Sequence, residues 1–254
     1  MLSVTTDALT AFLLVLARVG GVVALAPLPG SRLSPPAAKV VLAVLLAAVI
    51  APLGRVRAGP PATPGTVVVG MLAEAGFGLA VGVALQMLSE MLGLAAQMLG
   101  FQAGYSYINT VDPTSQVDAT ILNVLLTLLG GLLLFAFDLH LHLVRALALS
   151  LERIPLGEFR PRSGAALGLA QLGGAVFESA VRLAFPVVAL LLLIDLALAL
   201  LSYVNGRMQL LTLSFPIKMV VTMLVLVVVV GEAPRLFHQL AGRAFGVVEG
   251  LLAR

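Results

Sequence analysis

Strongly apolar segments, separated by polar or proline-rich stretches, dominate the chain. They cover residues 8–28, 37–53, 66–104, 119–137, 181–204 and 208–231. The run 119–137 contains no charged residue and is long enough to cross a bilayer, because about 20 apolar residues suffice. The pattern predicts an all-α membrane protein with about six hydrophobic helical segments, organised as one domain over residues 1–254.

Composition supports insertion into lipid. Hydrophobic residues make up 60% of the chain and charged residues 11%, whereas a soluble domain carries about 25% charged residues. The net charge is +3, and no cluster of basic residues alternates with aromatic residues, so we predict no nucleic-acid partner. The absence of cysteine excludes disulfides, thiolate metal ligands and thiol catalysis.

The third apolar segment has an unusual face of small and polar residues. Steps of three or four residues place them on one side of a helix. Glycine, glutamine and glutamate suit close helix packing or a wet lumen better than lipid. Packing within the chain, packing between subunits and lining of a conduit all remain open. We predict a subunit packing face at Glu74, Gly78, Gly82, Gln86, Glu90, Gly93, Gln97, Gly100 and Gly104.

A polar, turn-prone stretch follows that segment. Residues 104–116 contain no Lys or Arg, and Asp112-Pro113 favours a turn. Non-helical backbone at membrane depth is tolerated only inside protein or around a water-filled cavity. Composition alone leaves two interpretations, an exposed loop and a segment enclosed by protein.

Several ionisable residues lie inside apolar runs, where each needs a partner or water. Glu178 and Arg182 are four residues apart in the favourable order, which predicts an intramembrane ion pair. For Glu90 and Asp195 we favour structural pairing over a proton relay. The remaining members of this group are Arg18, Glu74 and Lys218.

The sequence predicts neither an enzyme nor a metal or cofactor site. His140 and His142 are two residues apart, so on a helix they point about 200° away from each other and cannot share a metal. The HExxH, GxSxG and Walker signatures are absent, and no catalytic residues are predicted.

Four stretches, in order along nearly the whole chain, resemble the FliR family. The first contains Arg18 followed by Ala26-Pro-Leu-Pro-Gly-Ser-Arg-Leu-Ser-Pro35, and the second combines Glu74-x3-Gly78-x3-Gly82 with the Asp-Pro end of the polar stretch. The third reads LLLFAFDLHLHLVRALALSLERIPLG over residues 132–157. The fourth contains Phe185-Pro186 through Asp195, followed by Ser214-Phe-Pro-Ile-Lys218.

The chain departs from the family pattern at two places. Residues 203–209 read YVNGRMQ and lack the proline that the family has between its last two segments. Leu141 separates the two histidines, which are adjacent in the family. Both departures indicate a divergent member.

The resemblance implies a subunit of the type III protein export gate in the bacterial inner membrane, at the flagellar basal body. There the chain would form helical hairpins in a hetero-oligomer with FliP-like and FliQ-like subunits, and an FlhB-like switch protein would surround the cytoplasmic mouth. Unfolded export substrates would pass through the channel. The resemblance also implies a channel plug, which here consists of Tyr105, Ser106, Tyr107, Asn109, Asp112, Pro113 and Gln116.

Two other functions compete with the flagellar export gate. One is the homologous subunit of a virulence injectisome. The other is a small secondary transporter, for which inverted repeats and broken helices around a midplane site are expected. No convincing repeat relates the two halves of this chain.

Overall fold

A computed structural model describes residues 2–26, 35–53, 64–105, 121–160, 163–204 and 210–252. These residues form helices and connecting turns, with no β-strand among them. A short 3-10 turn, Ala51–Leu53, follows the second helix. The α-helices of the described residues are α1 (Leu2–Leu25), α2 (Pro36–Ile50), α3 (Pro64–Gln102), α4 (Ile121–Ala136), α5 (Leu139–Arg153), α6 (Ser163–Val204) and α7 (Leu210–Leu252).

Proline and aspartate set several helix ends. Pro36 occupies the first turn of α2, where its missing N–H costs nothing. Helix α5 ends at Arg153. The next residue, Ile154, is extended because it precedes Pro155, and proline disfavours helical backbone in the residue before it. Asp138, between α4 and α5, has a φ of 53°, a left-handed conformation that aspartate tolerates better than most residues. The two helices are bent by 60° at this junction.

The structure confirms an all-α membrane protein. Four helices are long and apolar enough to cross a membrane, in the ranges Ala8–Leu25, Gly65–Gln102, Gly164–Tyr203 and Ser214–Leu252. The bent pair of α4 and α5 provides a fifth span if it crosses as one unit. Helix α2 has only 15 residues, which is shorter than a complete span.

Helix boundaries differ from the predicted segments towards the C-terminal end. Helix α6 begins at Ser163, within a glycine- and alanine-rich stretch that is less apolar than the predicted segment 181–204. Helix α7 continues beyond residue 231 to Leu252, although this part carries several charges. Pro186 lies inside α6, and Pro216 and Pro234 lie inside α7, as membrane helices allow.

The contacts of the chain divide it into two compact units. Unit 1 contains Met1–Leu88, Leu134–Gly173 and Ala241–Arg254. Unit 2 contains Ser89–Leu133 and Gly174–Leu240. A single domain over residues 1–254 stays a prediction.

Unit 1 has a core between α1, α2 and the end of α5. Helix α1 contributes one apolar stripe at steps of three to four residues, and α2 contributes small residues that let the two helices approach. Leu151 and Leu156 close the cluster from α5 and the turn after it. The remaining buried members are Leu14, Val15, Val19, Val23, Ala43, Ala47 and Ile50.

Unit 2 packs the second half of α3 against α4 and contains parts of α6 and α7. Leu92 and Leu99 of α3 and Leu122 and Leu126 of α4 are fully buried. A Cβ atom on Gly130 of α4 would lie 3.0 Å from a Leu92 methyl group, so the glycine permits a close approach of these two helices.

Candidate functional site

A completely buried ion pair joins α1 to α3 in unit 1. Arg18 Nε donates to Glu74 Oε2, and neither side chain is exposed to solvent. Either charge alone would be costly to bury, because desolvation removes several kcal/mol of hydration that no neighbour replaces. The two residues therefore depend on each other for a place in the core.

Further hydrogen bonds complete this pair and extend it to a third helix. Arg18 Nη1 donates to Ser150 Oγ at 3.0 Å, and Nη2 donates to the Ile154 carbonyl at 3.4 Å. The second oxygen of Glu74 accepts from the N–H of Gly157 at 2.8 Å. The Arg18–Glu74 cluster consequently links α1 and α3 to α5 and to the turn that follows it.

Two aromatic rings cover the cluster. The Arg18 guanidinium carbon lies 5.0 Å from the centre of the Phe77 ring, within range of a cation–π interaction. Phe77 in turn contacts Phe159 edge to face, with ring centres 5.1 Å apart. These rings help to keep the Arg18–Glu74 cluster dry.

Glycines bring α1 and α3 close enough for the ion pair to form. A Cβ atom on Gly78 would overlap the Arg18 carbonyl oxygen, and one on Gly21 would lie 2.7 Å from the Ala75 carbonyl oxygen. On Gly82 it would lie 3.0 Å from the Leu25 Cβ. Because residues three or four apart share a helix face, the glycines and the two charged residues lie along one seam.

The predicted packing face of α3 thus has partners within this chain over its first half. Glu74, Gly78 and Gly82 are buried against α1 and the α5 turn. Further along, Gly93 and Gly100 are buried and Gln97 is exposed, while Gln86, Glu90 and Gly104 are partly exposed. A role of the face in packing between subunits stays a prediction.

A second charge cluster lies in unit 2 and joins α3, α6 and α7. Lys218 Nζ forms an ion pair with Asp195 Oδ1, and Gln102 Nε2 donates to Asp195 Oδ2 at 3.0 Å. The Asp195 side chain is 38% exposed and that of Lys218 is 11% exposed. This cluster, unlike the first, is in contact with the surroundings of the chain.

The residues immediately after α3 also contact α7. Gly104 has a φ of 83°, and a Cβ atom there would lie 2.5 Å from the Phe215 ring, so both backbone and space favour glycine. The Tyr105 hydroxyl donates to the Met219 carbonyl at 3.5 Å. Burial raises the pKa of the Tyr105 phenol, which therefore stays protonated as a donor.

Tyr105 is the single member of the predicted plug within the described part of the chain. The other members lie outside the described residues, namely Ser106, Tyr107, Asn109, Asp112, Pro113 and Gln116. The plug assignment therefore stays a prediction.

The predicted pair of Glu178 and Arg182 is in contact on α6. Arg182 Nη2 lies 2.7 Å from Glu178 Oε1, and the side chains are 64% and 50% exposed, respectively. Exposed pairs of this kind contribute little to stability in water. Its location within the membrane stays a prediction.

Sequence spacing could not identify the two interhelical ion pairs. Arg18 and Glu74 are 56 residues apart, so helix periodicity carries no information about their contact. The available signal was the occurrence of opposite charges inside apolar runs, which demands partners without naming them. Among the residues that the structure describes, no group of three or more His, Cys, Asp or Glu side chains could hold a metal ion.

Comparison with known proteins identifies the family. Residues 9–244, most of the chain, match the family described as bacterial export proteins, family 1. The chain belongs to this family.

Curated relatives in the family are flagellar biosynthetic proteins named FliR. That of Pectobacterium carotovorum is 27% identical over 237 residues, which cover 93% of this chain and 90% of the relative. The Caulobacter vibrioides protein is 28% identical over 82% of this chain and 83% of its own. The Bacillus subtilis protein is 26% identical over 87% of this chain and 86% of its own length. The FliR-family resemblance is thus confirmed across most of the chain, and it indicates a membrane-embedded component of flagellar protein export.

The Arg18–Glu74 cluster predicts a strong coupling between two substitutions in this FliR-family chain. Arg18→Met or Glu74→Met alone leaves the opposite charge buried without its partner and should lower the free energy of unfolding by about 3–5 kcal/mol. The double variant should lose clearly less than the sum of the single losses, since no buried charge remains. Denaturant unfolding in detergent measures both, with exposed Glu152→Met as control. Additive losses would contradict the ion-pair account.

The glycine seam predicts opposite effects at neighbouring positions. Gly78→Ala and Gly21→Ala should each lower the free energy of unfolding by about 1–3 kcal/mol, because the helices must separate. Gly76→Ala and Gly20→Ala meet nothing within 4 Å and should be neutral or stabilise by up to about 1 kcal/mol. Thermal unfolding in detergent compares the pairs, and equal effects at matched positions would exclude a close approach.

Proposed function

We propose that the chain is a subunit of the type III export gate in the bacterial inner membrane. With FliP-like and FliQ-like subunits it forms the channel through which unfolded flagellar substrates leave the cell, and an FlhB-like protein acts at the cytoplasmic mouth. Family membership over residues 9–244 and the flagellar names of the curated relatives support this proposal. Those names favour the flagellar system over a virulence injectisome.

Two properties of α6 and α7 support the multi-subunit part of the proposal: their length and the low burial of their apolar windows within the chain. These helices have 42 and 43 residues, about 63–65 Å at 1.5 Å per residue, against a hydrocarbon core of about 30 Å. In each apolar window only 22% of the residues are buried within the chain. Lipid can cover about half of each helix. On α6 the exposed large apolar side chains extend from Leu167 to Tyr203, over about 54 Å, so other protein is the natural cover for part of them.

Large apolar side chains on these helices show the extent of the uncovered surface. Leu193 and Leu196 of α6 are 62% and 57% exposed, and Leu224 and Val227 of α7 are 70% and 74% exposed. Exposed apolar surface on this scale marks a membrane or protein contact. A gate subunit that has both lipid and neighbouring subunits accounts for it.

The plug is part of the same proposal. Tyr105–Gln116 would close the channel, and Gly93, Gly100 and Gly104 would permit its close packing. The left-handed backbone at Gly104, tight against Phe215, supports a sharp change of chain direction where the polar stretch begins. The lack of Lys and Arg in this stretch suits a closure that binds no substrate tightly.

Co-purification tests the assembly. The chain carries a C-terminal tag, is co-expressed with the FliP-like and FliQ-like proteins of its own genome, and is extracted in mild detergent. Native mass spectrometry should then find a discrete hetero-oligomer containing one copy of this chain. The tagged chain expressed without partners is the control. A monomer or homodimer that binds neither partner would exclude the export-gate function and favour the transporter alternative.

Deletion of residues 106–115 tests the plug. The assembled complex, reconstituted in a planar bilayer, should conduct small ions at least about tenfold more than the wild-type complex, because nothing then blocks the channel. A chain that lacks residues 55–58, in the proline-rich connection between α2 and α3, is the control and should stay closed. Unchanged conductance of the 106–115 deletion would exclude the plug assignment.

A further inference from the structure

The two charge clusters differ in how completely they are enclosed. In the Arg18–Glu74 cluster both side chains are fully buried, and each Glu74 oxygen has its own donor. In unit 2, Gln102, Asp195 and Lys218 form what we call the Asp195 node, and its carboxylate is 38% exposed. One cluster is closed on all sides, and the other leaves part of its carboxylate open to whatever surrounds the chain.

We propose that the Asp195 node is a releasable latch that holds the end of α3 on α6 and α7 and must open during export. This inference rests on the proposed function as an export-gate subunit. Asp195 and Lys218 are positioning residues in this view, because they act on the end of α3 and not on the exported chain.

One carboxylate makes the latch. Asp195 on α6 accepts from Gln102 on α3 through one oxygen and pairs with Lys218 on α7 through the other. Removal of its charge would weaken both contacts together and leave the Lys218 ammonium, 11% exposed, without this partner. A single side chain therefore ties the end of α3 to α6 and, at the same time, ties α6 to α7.

The contacts beside the node depend on it through the chain. Gly104 and Tyr105 follow Gln102 within three residues, and they contact Phe215 and Met219, which flank Lys218. The Tyr105 bond is long at 3.5 Å, so it adds little hold of its own. Leu99 and Ala103, both fully buried, still anchor the last turn of α3 when Gln102 leaves Asp195, so the release loosens the contacts of Gly104 and Tyr105 with α7 and leaves the helix in place.

Partial exposure is what makes the latch reversible. Charged residues inside membrane spans face neighbouring protein or a water-filled cavity, so the exposed part of Asp195 can gain a new polar partner there when the pair opens, whereas a fully buried pair cannot. A permanent structural tie would be expected to resemble the Arg18–Glu74 cluster. The Asp195 node instead combines an ion pair and a hydrogen bond with a carboxylate that is partly open to other partners.

A reversible covalent lock tests the proposal. The chain contains no cysteine, so Gly104→Cys with Phe215→Cys introduces one defined pair, and loss of the Phe215 ring provides the space that a Cβ atom at residue 104 needs. The φ of 83° at residue 104 strains any side chain, so a Gly104→Ser, Phe215→Ser chain measures the effect of this strain without a disulfide. In cells that lack their own copy of this chain, oxidation should lower secretion of flagellar protein at least about tenfold, and reductant should restore it. Chains that combine one of these cysteines with serine at the other position keep the same space and should not respond to oxidant. Full cross-linking with undiminished export would overturn the latch.

Opening the latch tests it from the other side. Asp195→Asn and Lys218→Met complexes should conduct small ions at least about tenfold more than the wild-type complex, and the exchange Asp195→Lys with Lys218→Asp should recover closure in part. Glu232→Gln, at an exposed position on α7, is the matched control. An assembled Asp195→Asn complex that stays closed, while the 106–115 deletion leaks, would overturn the latch and leave the proposed function intact.

A measurement on the isolated chain separates the latch from the export gate. In detergent, the Gly104→Cys, Phe215→Cys chain should form its disulfide several-fold more slowly when Asp195→Asn is added, because the end of α3 is then no longer held on α7. Equal rates of disulfide formation would show that Asp195 does not hold the end of α3 in place, which would overturn the latch. A slower rate, in a chain that does not assemble with FliP-like and FliQ-like partners, would support the contact between α3 and α7 and exclude the export-gate function.

Discussion

The structure depends on one buried ion pair between two apolar helices, α1 and α3. Arg18 and Glu74 are each a liability in a chain with so few charged residues, and together they form a core that no solvent reaches. Their contact requires that α1 and α3 approach until glycine is the residue that fits, which explains why Gly21 and Gly78 flank the pair. Polar specificity and close packing are therefore one feature. A chain that loses either would keep its hydrophobicity and lose its arrangement.

The two charge clusters contain similar side chains but differ in burial and in the number of hydrogen-bond partners. The Arg18–Glu74 cluster also uses Ser150 and the N–H of Gly157, so that α5 and its turn are fixed to α1 and α3. The Asp195 cluster has fewer partners and remains in contact with its surroundings. The two ion pairs therefore differ in burial and in the number of helices that their further hydrogen bonds connect.

Much of the fold could be predicted from the sequence, because hydropathy reports helices in lipid directly. The all-α membrane class and the long third helix followed from apolar runs, and the continuation of α6 and α7 through Pro186 and Pro216 agrees with their apolar surroundings. The start of α6 at Ser163 was missed because glycine and alanine carry little hydropathy signal. The partner of Glu74 was missed for a deeper reason. Periodicity describes one helix at a time, and contacts between helices 56 residues apart leave no trace in it.

The length of α6 and α7 also has a consequence for how cells produce this chain. Each helix is about twice as long as a bilayer core is thick, and its apolar window is mostly uncovered within the chain. A copy made in excess of its neighbours would present that bare surface to membrane proteases and to other orphan chains. In the proposed assembly, synthesis of this chain would therefore have to keep pace with that of the subunits that cover those helices.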